Sequence, residues 1–154
     1  MTAKTTRTNK DYIKDLVKRY QNDVTLAAGI PVGSKSASIA YPDGTELLDV
    51  AVTNNFGTDK VPRRDYMTPG GQNAVKKTAP IAKQQVLRIN MDEQTVEGAL
   101  KIMGPVAQAE MSLAVRDLRT PPNAERTIAE KGSDNPLVDT GLLQQSQTWV
   151  VRRK

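Results

Sequence analysis

Ile13, Leu16, Val17 and Tyr20 recur at i, i+3, i+4 and i+7, with Lys14, Asp15, Lys18 and Arg19 between them. That spacing predicts an amphipathic helix, with Thr8 or Asn9 as its cap. Val24 to Ile30 reads as a strand stopped by Gly29-Ile30-Pro31, and a polar Gly/Ser loop follows from Gly33 to Ser38. Ser38–Tyr41 is then a second strand, and Pro42-Asp43-Gly44-Thr45 is a turn in which Pro presets φ and Gly takes the left-handed position. In Glu46–Asn54, Leu48, Val50 and Val52 alternate with Asp49, Ala51 and Thr53, the period of a half-buried strand that closes a hairpin.

Asn54 to Gly71 reads as an irregular connection, with Gly57, Pro62, Pro69 and the pair Gly70-Gly71 as breakers. Gln72–Asn90 has helical spacing through Val75, Ala79, Ala82, Val86 and Ile89, with Pro80 as a kink or starting point. Asp92 is placed to cap a further helix through Val96, Leu100, Met103, Val106, Met111 and Leu118, which Gly104-Pro105 should bend or divide. Thr120-Pro121-Pro122-Asn123 ends it, and Thr127–Lys131 supplies at most one more helical turn.

The run from Gly132 to Ser146 carries the densest punctuation. Gly132 and Asp134-Asn135-Pro136 turn the backbone, Asp139 or Thr140 can cap the turn that opens after Gly141, and Leu142 and Leu143 hold it down. Thr148-Trp149-Val150-Val151 closes the chain as a strand. Strands, then helices, then one late strand predict an α+β domain with helices on one face of a small antiparallel sheet, an N-terminal helix and extended loops. There is no internal repeat.

Length and composition narrow the function. At 154 residues the chain is one domain, read as a basic arm over 1–10 (Lys4, Arg7 and Lys10 are its only charges) and a domain over 11–154. Apolar residues make up 38%, with one Trp, one Phe and four Tyr, so the core rests on aliphatic side chains and Met. The absence of Cys and His removes disulfides, thiolate chemistry, serine–histidine and cysteine–histidine machinery and the usual zinc sites. No apolar window approaches the ~18–20 residues of a membrane span and no secretory leader is recognisable, so the expectation is a soluble chain made in a reducing or redox-neutral compartment.

A net charge of +5 is compatible with nucleic acid or with acidic protein surfaces and selects neither. Asp134 and Asp139 are too few for an oxygen-ligand cation site, so turning and capping is the better reading. Gly29-Ile30-Pro31-Val32-Gly33 lacks the lysine and the helix of a phosphate loop. Arg63, Arg64, Asp65, Tyr66 and Met67 form the strongest interaction candidate. Two guanidinium groups beside an aromatic ring suit phosphates and bases, but Arg, Tyr and Met are also enriched in subunit interfaces, and an interface loop is favoured. Arg152-Arg153-Lys154 reads as a solvated strand end.

Two stretches together carry a family resemblance. They are Asn54-Asn55-Phe56-Gly57-Thr58 with Val61-Pro62-Arg63-Arg64-Asp65-Tyr66-Met67, and Thr120-Pro121-Pro122-Asn123-Ala124 with Thr127-Ile128 and Lys131-Gly132-Ser133-Asp134-Asn135-Pro136-Leu137-Val138-Asp139-Thr140-Gly141-Leu142-Leu143-Gln144-Gln145-Ser146. In this order the chain resembles the neck, or tail-completion, proteins that join the DNA-filled head of a tailed bacteriophage to its tail. Arg64-Asp65-Tyr66 stands where that family often has Arg-Pro-Phe.

The resemblance implies a small sheet packed on helices and a ring, usually of six copies. It implies contacts with connector and tail-terminator or tail-tube proteins above and below, and a place in the virion after assembly in the host cytoplasm. It implies no enzymatic activity and no cofactor, with transient, non-specific DNA contact in the channel. The 54–71 loop and the N-terminal arm are the segments expected to reach neighbours. The alternative from composition is a small basic protein that binds nucleic acid without sequence preference.

Overall fold

The structure, a computed structural model, describes residues 9–21 and 23–153. Of the basic arm expected over 1–10, residues 1–8 lie outside the described residues, while Asn9 and Lys10 already belong to helix α1 (Asn9–Tyr20). The fold is α+β. Strand β1 (Val24–Gly29) pairs antiparallel with β2 (Thr148–Arg153), from Val24 opposite Arg153 to Gly29 opposite Thr148. This ribbon lies on α4 (Val96–Asp117), the inner helix of a long hairpin with α3 (Met67–Asn90).

The hairpin expected over 38–54 is corrected. Its turn exists: Tyr41 O accepts from Gly44 N–H, Asp43 Oδ1 accepts from Thr45 N–H, and Ala40 bridges Glu46. Beyond it Leu47–Phe56 is a helix, α2, not a strand. Leu47, Ala51 and Asn55 follow one another at four-residue intervals and are all buried. In so short an apolar run, alternation and helical spacing coexist, and burial on one helical face decides between them.

Two further expectations change. Helix α3 begins at Met67, so residues 67–71 belong to it and the irregular connection is shorter than 54–71. Gly104-Pro105 does not divide α4, and Pro80 lies inside α3 without ending it. Both prolines and the residues four positions before them, Lys76 and Lys101, are exposed, so water can satisfy the carbonyls that proline leaves free. Gly104 faces inward, where the Trp149 indole lies so close that an added Cβ would overlap it. Gly70 plays the same part between the long helices, since a Cβ there would stand 2.9 Å from Met111 Sδ and 3.0 Å from Ala114 Cβ.

The cap of α4 is Thr95, whose Oγ1 accepts from Gly98 N–H at 3.0 Å; Asp92 instead takes a positive φ of 65° in the α3–α4 turn. Helix α5 (Glu125–Lys131) is longer than the single turn expected and ends at Gly132, left-handed at φ 67°. Helix α6 (Leu142–Gln145) follows Gly141, and Thr140 Oγ1 accepts from Leu142 N–H at 3.3 Å. The core gathers Leu47, Ala51, Tyr66, Met111, Val115, Leu137 and Leu143 from α2, α4, α6 and the loops between.

Candidate assembly interface

The segment Arg63–Met67 is expected to face a neighbouring subunit, and in the structure two of its five residues, Arg64 and Tyr66, turn inward instead. Its side chains alternate: Arg64 and Tyr66 point into their own chain, at 6% and 2% exposure, while Arg63 and Met67 face solvent and Asp65 is half-buried. The backbone is held first. Arg64 N–H donates to Asn54 O at 2.7 Å, and Asn55 Oδ1 accepts from Met67 N–H at 3.1 Å. Gly57 makes that approach possible. It sits at φ 77°, and a Cβ there would stand 2.9 Å from Arg63 N.

Around Arg64 the chain closes on neutral acceptors alone. Nε donates to Pro121 O (3.1 Å), Nη1 to Asn54 Oδ1 (3.1 Å), and Nη2 to Pro122 O (3.1 Å) and Asn123 Oδ1 (2.9 Å). One guanidinium thus ties α2 to the turn after α4. No carboxylate pairs with it among the described residues, and burial lowers its pKa. Beside it opens a groove of about 750 Å³ whose walls include Tyr41, Lys131 and Asp139. Burial lowers Lys131, with Asp139 opposing and Arg64 adding to the shift; burial raises Tyr41, helped by Asp139 and Asp43.

Asp65 works locally. Its Oδ1 accepts from Thr68 N–H in the first turn of α3 and its Oδ2 meets Arg63 Nη2 at 2.6 Å; the Thr68 amide is the main reason its pKa is lowered. A carboxylate at a helix start is the favourable placement. Tyr66 is pushed up to about 12, mostly by burial, with the Gln147 side chain acting the other way and Tyr41 adding to the rise.

In the 132–146 run the weight falls on Asn135, which the sequence reading did not single out. Its Oδ1 accepts from Leu137 and Val138 N–H, and its Nδ2 donates to Arg116 O at 2.7 Å. The signal was the Asn-Pro dipeptide, since Asn fixes turns through its own side chain. Asp134 is exposed, Pro136 is buried, and Asp139 lines the groove instead of capping α6. Among the described residues, no three acids converge as a cation site.

What remains for a partner lies on the helices. Helix α1 buries no residue, and Tyr12, Ile13, Val17 and Tyr20 are all exposed. It attaches to the end of α3 through polar groups: Arg19 Nη1 donates to Ile89 O and Asn90 O, and Tyr20 OH donates to Asn90 Oδ1 at 2.7 Å. Val75, Val86 and Leu87 of α3, and Val52 and Phe56 of α2, are likewise in solvent, Val75 at 69% and Phe56 at 65%. Of the residues that carry the helical spacing of α3, Val75, Ala79 and Val86 are exposed and Ile89 is buried, and Gly70, Ala74, Gln85 and Ile89 form the face that meets α4. No protein-family model matches this chain, and no curated protein or solved structure does.

Proposed function

We propose that the chain is a structural virion protein of the tailed-phage neck, a subunit of a six-membered ring that joins head to tail. The observation that carries this reading is the set of apolar helix faces on α1, α2 and α3 that the monomer leaves in water. Scattered apolar residues on a surface mean little, but rows of them on helix faces are what an obligate interface covers. The Asn54–Met67 and Thr120–Ser146 stretches add to it. The resemblance rests on both, and Arg64 and Asn135 tie them to one another and to the end of α4 by hydrogen bonds. In this role the subunit passes contact from one neck layer to the next and around the ring, with connector and tail proteins as its neighbours.

The second reading, a small basic nucleic-acid binder, is favoured by α3, which carries Lys76, Lys77, Lys83 and Arg88 and no acid. It loses the Arg63–Arg64 pair as a phosphate fork, because the Arg64 guanidinium is engaged inside the chain. Electron microscopy of particles made without the protein tests the first reading. Heads and tails that fail to join are expected; normal junctions refute it.

A further inference from the structure

The described surface separates its charges by region. Residues 41–59 hold Asp43, Glu46, Asp49 and Asp59 and neither Lys nor Arg, whereas α3 holds four bases and no acid, one of them, Arg88, pairing with Glu93 just beyond the helix at 3.7 Å. Both regions carry bare apolar side chains among those charges. On α2, Asp49, Val52 and Phe56 stand at i, i+3 and i+7 and share one exposed face. On α3, Lys83, Val86 and Leu87 stand at i, i+3 and i+4 and are likewise exposed. Helix α1, tied to the last turn of α3 by Arg19 and Tyr20, carries Lys10, Ile13, Lys14 and Val17 exposed at helical spacing.

The two patches sit at opposite ends of α3. Asn55 ties α2 to its first residue, and Arg19 and Tyr20 tie α1 to its last turn. A helix of 24 residues at ~1.5 Å each is ~36 Å long, so one molecule cannot bring its own patches together.

We infer that the basic patch of one copy (the end of α3 with α1) docks on the acidic α2 patch of the next copy. The inference rests on the ring reading and names the surfaces that would build it. Contact between two different patches is head-to-tail, the kind that closes into a ring when the rotation between copies allows. Opposite charges around apolar centres fix which patches meet and in what register. Phosphates would satisfy the lysines but leave Ile13, Val17, Val86 and Leu87 uncovered, so a second copy fits this patch better than nucleic acid does.

The chain has no cysteine of its own, so single cysteines report geometry cleanly. In the full chain at high concentration, V52C mixed with V86C and treated with a short bismaleimide should give a mixed covalent dimer. Neither variant alone should give a dimer, and the chain carrying both should give a ladder. Adding E46K and D49K to V52C should cut the mixed product at least tenfold, and adding K83E and R88E to V86C should restore it.

All these positions are exposed, and thermal melting checks that the variants fold. Linkage of V86C to itself, no mixed product, or Lys83-dependent binding of a DNA fragment in place of the mixed product would overturn the pairing. If rings still sediment while the mixed product is absent, the ring reading stands and this interface falls.

Discussion

Arg64 is a cation enclosed by amides. Its four acceptors come from α2 and from residues 121–123, so removing the guanidinium strands all of them at once. Each buried acceptor left unsatisfied costs about 1–3 kcal/mol, less where water or relaxation intervenes. Arg64→Ala should therefore destabilise by about 3 kcal/mol, read as a lower urea midpoint. Arg64→Lys should rescue little, because an ammonium cannot reach four acceptors in one plane. Arg63→Ala should leave the midpoint unchanged, as its ion pair with Asp65 is at the surface.

Tyr66 gives the pH counterpart. Its folded pKa, near 12, stands above the ordinary 10, so the unfolded chain loses this proton first as pH rises. The contribution is complete below pH 10 and is lost between 10 and 12, about 2–3 kcal/mol in all. Urea unfolding from pH 8 to 11.5 should show this alkaline loss in the parent chain and a smaller one in Tyr66→Phe.

At the scale of elements, close approach outweighs helix propensity. Gly104→Ala improves local propensity by ~1 kcal/mol, yet its methyl meets the Trp149 ring. A net loss of about 1–3 kcal/mol is expected, as for other overpacked sites. Gly71→Ala in α3 meets nothing within 4 Å and should raise the melting temperature.

The same two helices mark what could be read from the chain. Their existence, both strands, α1 and the left-handed stop at Gly132 were legible, because periodicity and turn chemistry are local. The α2 helix was not legible, since Leu47–Val52 satisfies two periods and only Tyr66, Val115 and Leu143, distant in sequence, choose one. Nor was the inward turn of Arg64. It depends on acceptors nearly sixty residues away that only the fold brings round. The spacing of Val75, Ala79, Ala82, Val86 and Ile89 marks the helix but not that Val75 and Val86 face out while Ile89 faces in, because that depends on which side the neighbouring helix occupies.

For the whole molecule, the relevant quantity is where charge and apolar surface lie. Removing residues 1–21 deletes a helix with no fully buried residue, held to α3 by a few polar contacts, so the remaining chain should melt within a few degrees of the parent. Under the head-to-tail inference it should fail to associate in sedimentation velocity at concentrations where the parent does. Raising salt from 0.15 to 1 M shortens the screening length from ~8 to ~3 Å and should weaken association of the parent without changing its fold.

The β ribbon sets a mechanical limit. Val24 faces Arg153, so the chain enters and leaves this strand pair at the same end. A pull on the flanking segments would load its rungs singly and peel them apart, where a staggered pair would share the force. Were the chain the joint proposed above, it would be weak against tension through its strand ends, and thrust would be better borne broadside through the flanks of α3 and α4.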